Sequence, residues 1–225
     1  MHGILYPKVK ICCVKTKAEA EMAIQYGAKA IGLVGPMPSG PGQISNEQIK
    51  EIAESTSIDV DTFLLTSETN VEKIIEHYKR VKTTTIQIVD ELDEMCYDLI
   101  RTELPSVDLV QVIHVLDNNT IEEAIEVSKH VDYILLDSGN PNLKVKRLGG
   151  TGQVHDWSIS KTIREEVNIP IYLAGGLNSK NIEKAIETVQ PYGVDLCSGV
   201  RTNDVLDEIK IQSFFKKIKP ASDLL

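Results

Sequence analysis

Two rhythms alternate along the chain. Short apolar runs predict strands, and the segments between them place apolar residues at three- and four-residue spacing, which predicts helices. Lys8–Cys13 reads as the first strand and Lys17–Tyr26 (KAEAEMAIQY) as its helix, closed by Gly27 at a C-cap position. Ala30–Val34 is the next strand, and after the loop GPMPSGPGQ a helix opens with Ser45 as N-cap and runs through Glu54. Val60–Leu65 pairs with the helical Asn70–Val81, Thr84–Val89 with Leu92–Glu103, and Leu109–Val115 with Asn119–His130. Tyr133–Leu136 is followed by a long loop, then by a helix at Trp157–Glu166 with Asp156 as its N-cap. Ile169–Leu173 leads into Asn178–Val189, capped by Asn178, and Val194–Cys197 into a helix around Asp207–Lys217. Eight strand–helix units without a compositional break predict an α/β fold, a single (β/α)8 TIM barrel over residues 1–225. The rival is an open doubly wound sheet, but no G-x-G-x-x-G follows the first strand.

Active sites of such barrels lie where strands end and loops begin. Gly175-Gly176 follows the seventh strand and Ser198-Gly199 the eighth. Glycine at a strand end turns sharply and brings bare N–H groups up to a ligand, so two such turns side by side suggest a divided phosphate cradle. Asp137, at the end of the sixth strand, stands at the same mouth as a candidate for chemistry. Strict alternation in VKICC points Lys10 and Cys12 into the barrel and Val9, Ile11 and Cys13 outward beneath the helices. Asp195 and Cys197 share a face of the eighth strand, and Asp195 can meet Lys10 across the closing seam. The preferred reading of Lys10 and Asp195 is a structural ion pair; contact with substrate is the other.

Charge and cysteine usage narrow the classes. With 24 basic and 33 acidic residues the net charge is −9, which argues against nucleic acid or an anionic membrane as main partner. No apolar run approaches the roughly 20 residues that span a bilayer, and no secretory signal opens the chain. The four cysteines, Cys12, Cys13, Cys96 and Cys197, lack C-x-x-C spacing, and two are adjacent, which suits neither a disulfide framework nor a zinc site. They read as reduced thiols of a cytoplasmic protein. His2, His77, His114 and His130 are scattered; His155 reads as an exposed loop residue, and Trp157 as packing at the start of its helix.

KICC-V-K-T, LLD, GGTGQVHDW, LAGGLN and PYGVDLCSGV together resemble the phosphoribosylanthranilate isomerase family of tryptophan biosynthesis, over nearly the whole chain and most specifically from Leu135 to Val200. The resemblance implies an Amadori rearrangement of a small phosphorylated sugar derivative on a (β/α)8 barrel, without metal or organic cofactor. It also implies a general base at Cys12, a general acid at Asp137, and phosphate held by backbone N–H groups at Gly175, Gly176, Ser198 and Gly199. The chemistry adds a constraint: a thiol with a reference pKa of about 8.5 and a carboxyl of about 3.9 must each move toward the working pH. Burial at a closed mouth would raise the carboxyl.

The chain also departs from the family pattern. The strand 2 turn of the family carries an Arg that clamps the anthranilate carboxylate, and no basic residue stands between Leu33 and Gln48 here. Q-L-H-G after strand 4 becomes Gln87-Ile88-Val89-Asp90, the Gly after the catalytic Cys becomes Cys13, and the acidic residue after S-G-V becomes Arg201. Arg147, with Lys144 and Lys146, offers a substitute cation for substrate binding; the competing reading of KVKR is a solvated loop. A relative acting on another phosphorylated ribosylamine, and a catalytically idle phosphate-binding barrel, are the alternatives to the isomerase.

Overall fold

The computed structural model describes residues 6–38, 40–139 and 154–218. Eight parallel strands close into a barrel in chain order: β1 (Lys8–Ile11), β2 (Ala30–Val34), β3 (Asp61–Thr66), β4 (Thr85–Ile88), β5 (Asp108–His114), β6 (Tyr133–Asp137), β7 (Ile171–Leu173) and β8 (Gly193–Leu196). Helices α1 (Lys17–Tyr26), α2 (Asn46–Ser55), α3 (Val71–Val81), α4 (Glu94–Glu103), α5 (Asn119–Val127), α6 (Trp157–Glu166), α7 (Ile182–Val189) and α8 (Glu208–Ile218) follow the strands. A short hairpin, β9 (Arg201–Thr202) with β10 (Val205–Leu206), precedes α8. Among the described residues no helix is long and apolar enough to cross a membrane.

Local chemistry sets the helix ends. Thr16 accepts from the Glu19 N–H, Asn70 from Lys73 and Asp156 from Ser158, while Ser45 and Gln48 form a reciprocal capping box. Gly27, at φ 113°, terminates α1 in the left-handed conformation that glycine adopts without a Cβ penalty. Asn178 does not cap α7. Its side chain accepts from Lys180 N–H within the preceding turn, and Asn181 holds the position before Ile182.

Alternation along the strands divides the apolar residues into two cores. Outward residues such as Ile11, Ile31, Leu64, Ile86 and Ile134 pack under the helices, and Trp157 adds to this layer at the start of α6. Inward residues, including Ala30, Phe63, Val110, Leu135 and Tyr172, fill the barrel. Phe63 and Tyr172 meet edge to face with centroids 5.8 Å apart, and the Lys10 ammonium lies 5.0 Å from the Phe63 centroid. The buried Lys10 therefore packs against an aromatic ring.

β1 and β8 close the ring with Lys10 in register with Asp195. Their side chains meet at 2.9 Å, and Lys10 is fully buried. β1 ends at Ile11, two residues earlier than alternation alone predicts. The backbone then breaks step, with Cys13 at φ 61°.

Candidate active site

Asp137, the last residue of β6, shares the inward parity of Tyr133 and Leu135 and is 7% exposed. Burial raises its pKa to about 6; the Ser138 N–H donating to Oδ1 at 2.8 Å opposes this, Asp195 adds to it, and Lys10 opposes it. A carboxyl in that range can hold and release a proton near neutral pH.

Cys12 follows β1, three strands round the ring from β6, and is buried at 5% exposure. It faces inward, as alternation predicts. Gly32 on β2 leaves it room: a Cβ there would stand 2.9 Å from the Cys12 sulfur and 3.1 Å from Lys10 Nζ. Lys10 loses charge stability to burial but regains it from Asp195 and, next in size, from Cys12, so its pKa is raised overall. Burial pushes Asp195 up against the opposing pull of Lys10. With a 2.9 Å contact, the ion-pair form is the one the geometry supports.

Cys13 does not pack outward beneath the helices. Because β1 has ended and φ is positive, the side chain swings back to the mouth and joins the inner core. Its sulfur lies 3.8 Å from that of Cys12 and 3.0 Å from that of Cys197. The departure Gly→Cys noted above was the signal, since glycine commonly marks a left-handed backbone position. Arg201, the other departure, lies under the same peptides. Its Nη2 donates to the Cys12 carbonyl at 3.1 Å and the Cys13 carbonyl at 2.6 Å, and Nη1 pairs with Glu19 at 3.0 Å.

The glycine turns converge at the same mouth. Gly175 and Gly176 take φ of 84° and 63°, and both Asn178 and Asn181 donate side-chain amides to the Gly176 carbonyl. Ser198 opens a one-turn 3₁₀ helix, Ser198–Val200, whose first N–H groups have no intrahelical partner. The second turn packs on the first. A Cβ on Gly199 would fall 1.9 Å from the Leu177 carbonyl oxygen. One pocket gathers Cys12, Asp137, Gly175, Gly176 and Ser198, with Asp195 and Cys197 at its wall.

Its other wall is apolar, built by Val34, Met37, Leu65, Val89 and Val112, with Gln87 among them. Gln87 is buried at 3% exposure, and its Oε1 has no partner among the described residues. None of the described residues lining this pocket is Lys or Arg. Arg147, Lys144 and Lys146 lie outside the described residues. His155 is half-buried rather than exposed: its Nε2 lies 2.7 Å from Ser160 Oγ, and burial drives its pKa down to about 4.

Such a pocket can hold a small planar group against the apolar wall, an anion at the turns, and a proton donor and acceptor on opposite sides. Fold and mouth together define the class, a (β/α)8-barrel enzyme with an enclosed small-molecule site. Residues 9–217 match the family model of N-(5'-phosphoribosyl)anthranilate (PRA) isomerase. N-(5'-phosphoribosyl)anthranilate isomerase 1 of Methanosarcina mazei is 30% identical over 238 residues, covering 100% of both chains. Phosphoribosyl anthranilate isomerase from Thermotoga maritima superposes with a TM-score of 0.80 at 27% identity, covering 94% of this chain and 98% of the other. A further phosphoribosyl anthranilate isomerase structure, in complex with reduced 1-(o-carboxyphenylamino)-1-deoxyribulose 5-phosphate, gives a TM-score of 0.77 at 25% identity, with coverage of 94% and 98%. The chain belongs to the N-(5'-phosphoribosyl)anthranilate isomerase family.

Proposed function

We propose that this protein isomerises N-(5'-phosphoribosyl)anthranilate to 1-(2-carboxyphenylamino)-1-deoxyribulose 5-phosphate, in the tryptophan pathway and in the cytoplasm. The observation that carries the reading is the buried carboxyl of Asp137, held to a pKa of about 6 in a pocket shared with Cys12 and two glycine turns.

Asp137, in its acid form, protonates the furanose ring oxygen. The C1–O bond breaks, the anthranilate nitrogen supplies the electron pair, and an iminium forms at C1. Cys12, as the thiolate, then takes the proton from C2. The electrons of that C–H bond form a C1–C2 double bond and quench the iminium, giving an enolamine that tautomerises to the aminoketose. Base on β1 and acid on β6 suit a reaction whose proton leaves carbon on one side and reaches oxygen on the other. The phosphate sits against the N–H groups of Gly175, Gly176, Ser198 and Gly199. Lys10 and Asp195 act from beneath as a paired support for the Cys12 side of the mouth.

The pocket lining supports a second reading for the amine. With no Lys or Arg lining the pocket among the described residues, the site fits a ribosylamine phosphate whose aromatic part carries no carboxylate. Growth of a tryptophan auxotroph lacking this isomerase separates the two. The isomerase reading expects the wild-type gene to restore growth and Cys12→Ala not to. Failure of the soluble, folded wild-type protein to restore growth would favour the second.

A further inference from the structure

Three of the four cysteines meet at this mouth, and only one of them has a part in the chemistry just described. Cys13 and Cys197 lie just beyond the ends of β1 and β8, the two strands that close the barrel, and are separated by 184 residues in sequence. Their sulfurs are 3.0 Å apart, while the Cys12–Cys13 separation is 3.8 Å. A disulfide of about 2.05 Å requires the first pair to close by about 1 Å. The backbone beneath is clamped: Arg201 holds the Cys12 and Cys13 carbonyls from the segment that leaves β8. Bonding Cys12 to Cys13 instead would demand a strained eight-membered ring between neighbours. Cys197 is only partly buried and lines the pocket, so a small oxidant reaches it through the substrate entrance.

We infer that Cys13 and Cys197 form a reversible disulfide under hydroperoxide and that this bond shuts the active site. Cys197 attacks first. Its contact with Cys13 lowers its pKa against the cost of burial, and Arg201 lowers it further, whereas the contacts with Cys12 and Cys197 raise that of Cys13. The Cys197 thiolate displaces hydroxide from hydrogen peroxide and becomes a sulfenic acid. The Cys13 sulfur then attacks that sulfur, the S–S bond forms, the S–O bond breaks, and the departing hydroxide takes the Cys13 proton as water. Two thiols are oxidised by two electrons, and one peroxide becomes two waters. In the product Cys13 has no S–H to offer Cys12, and the bridge crosses the mouth beside Ser198. A thiol reductant reverses the step.

The loss of turnover rests on the isomerase reading, but the bond itself does not. Protein treated with hydrogen peroxide, denatured and titrated for thiols should fall from four thiols to two, with non-reducing peptide mapping joining the Cys13 and Cys197 peptides. Cys12→Ser should still lose two thiols, whereas Cys13→Ser and Cys197→Ser should form no cross-link. Oxidised wild-type protein should turn over at least about tenfold slower, and dithiothreitol should restore it. Persistence of four thiols, or a cross-link that disappears in Cys12→Ser, overturns the pairing. A cross-link that forms while turnover stays unchanged overturns the shutting of the site and leaves the isomerase reading standing.

Discussion

Asp137 is a carboxyl that the protein holds at a cost. Its pKa rises from 3.8 to about 6, so the folded state binds the proton more tightly than the unfolded chain. The group therefore favours folding below about pH 4, and this contribution is lost as pH rises through about 6. Above that range the buried charge weighs against the fold by roughly 2–3 kcal/mol. Asn keeps the Oδ1 that accepts from Ser138 and carries no charge. Asp137→Asn should thus unfold at a higher temperature than the wild type at pH 8, by roughly 2 kcal/mol of stability, and show no gain at pH 4. Thermal melts at the two pH values check this. If the acid assignment holds, wild-type kcat/KM should also fall above about pH 6, where Asp137 has lost its proton.

The turns after β7 and β8 pack as one element, because Gly199 leaves no room for a side chain against the Leu177 carbonyl. Gly199→Ala should push the turns apart and, on the proposed reading, take N–H donors away from the substrate phosphate. Hydrogen bonds to charged groups contribute about 1.5–3 kcal/mol, so the inhibition constant of inorganic phosphate should rise about tenfold or more, measured by competition. The strand 2 loop is the counterpart. An Arg at Gly42 is barred, since that residue takes φ 79° and a Cβ would stand 2.4 Å from the Cys13 Cβ. Met37 lines the pocket from the same loop and is only partly buried. Met37→Arg should lower KM for phosphoribosylanthranilate about tenfold with little change in kcat; an unchanged KM would mean the carboxylate is already met elsewhere.

These elements were unequally legible in the sequence. Ser45, Gly27 and Asp156 announce helix ends through local chemistry, which needs no tertiary context. Gly175-Gly176 after β7 and Ser198-Gly199 after β8 marked the mouth for the same reason. Asn178 misled because the β7 turn borrows its side chain before the helix begins, leaving Asn181 at the start of α7. Cys13 misled because alternation holds only while a strand lasts, and β1 stops at Ile11. The thiol contact with Cys197 depends on barrel closure across 184 residues, which no local pattern reports. Arg201 was visible only as a mismatch, and its clamp on the Cys12–Cys13 carbonyls needed the fold.

At the scale of the molecule, barrel closure creates the site. Joining β1 to β8 sets Lys10 against Asp195, and the closed ring brings Cys12 and Asp137 into one pocket. Phe63 and Tyr172, packed edge to face, fill the barrel interior. The most direct test of the account is steady-state turnover of purified protein on phosphoribosylanthranilate, for the wild type, Cys12→Ala and Asp137→Asn. The account predicts measurable turnover by the wild type and losses of about 10²–10⁴-fold in kcat for each variant, with inorganic phosphate inhibiting all forms at similar concentrations where activity remains. Turnover by Cys12→Ala or Asp137→Asn within a few-fold of the wild type would contradict it.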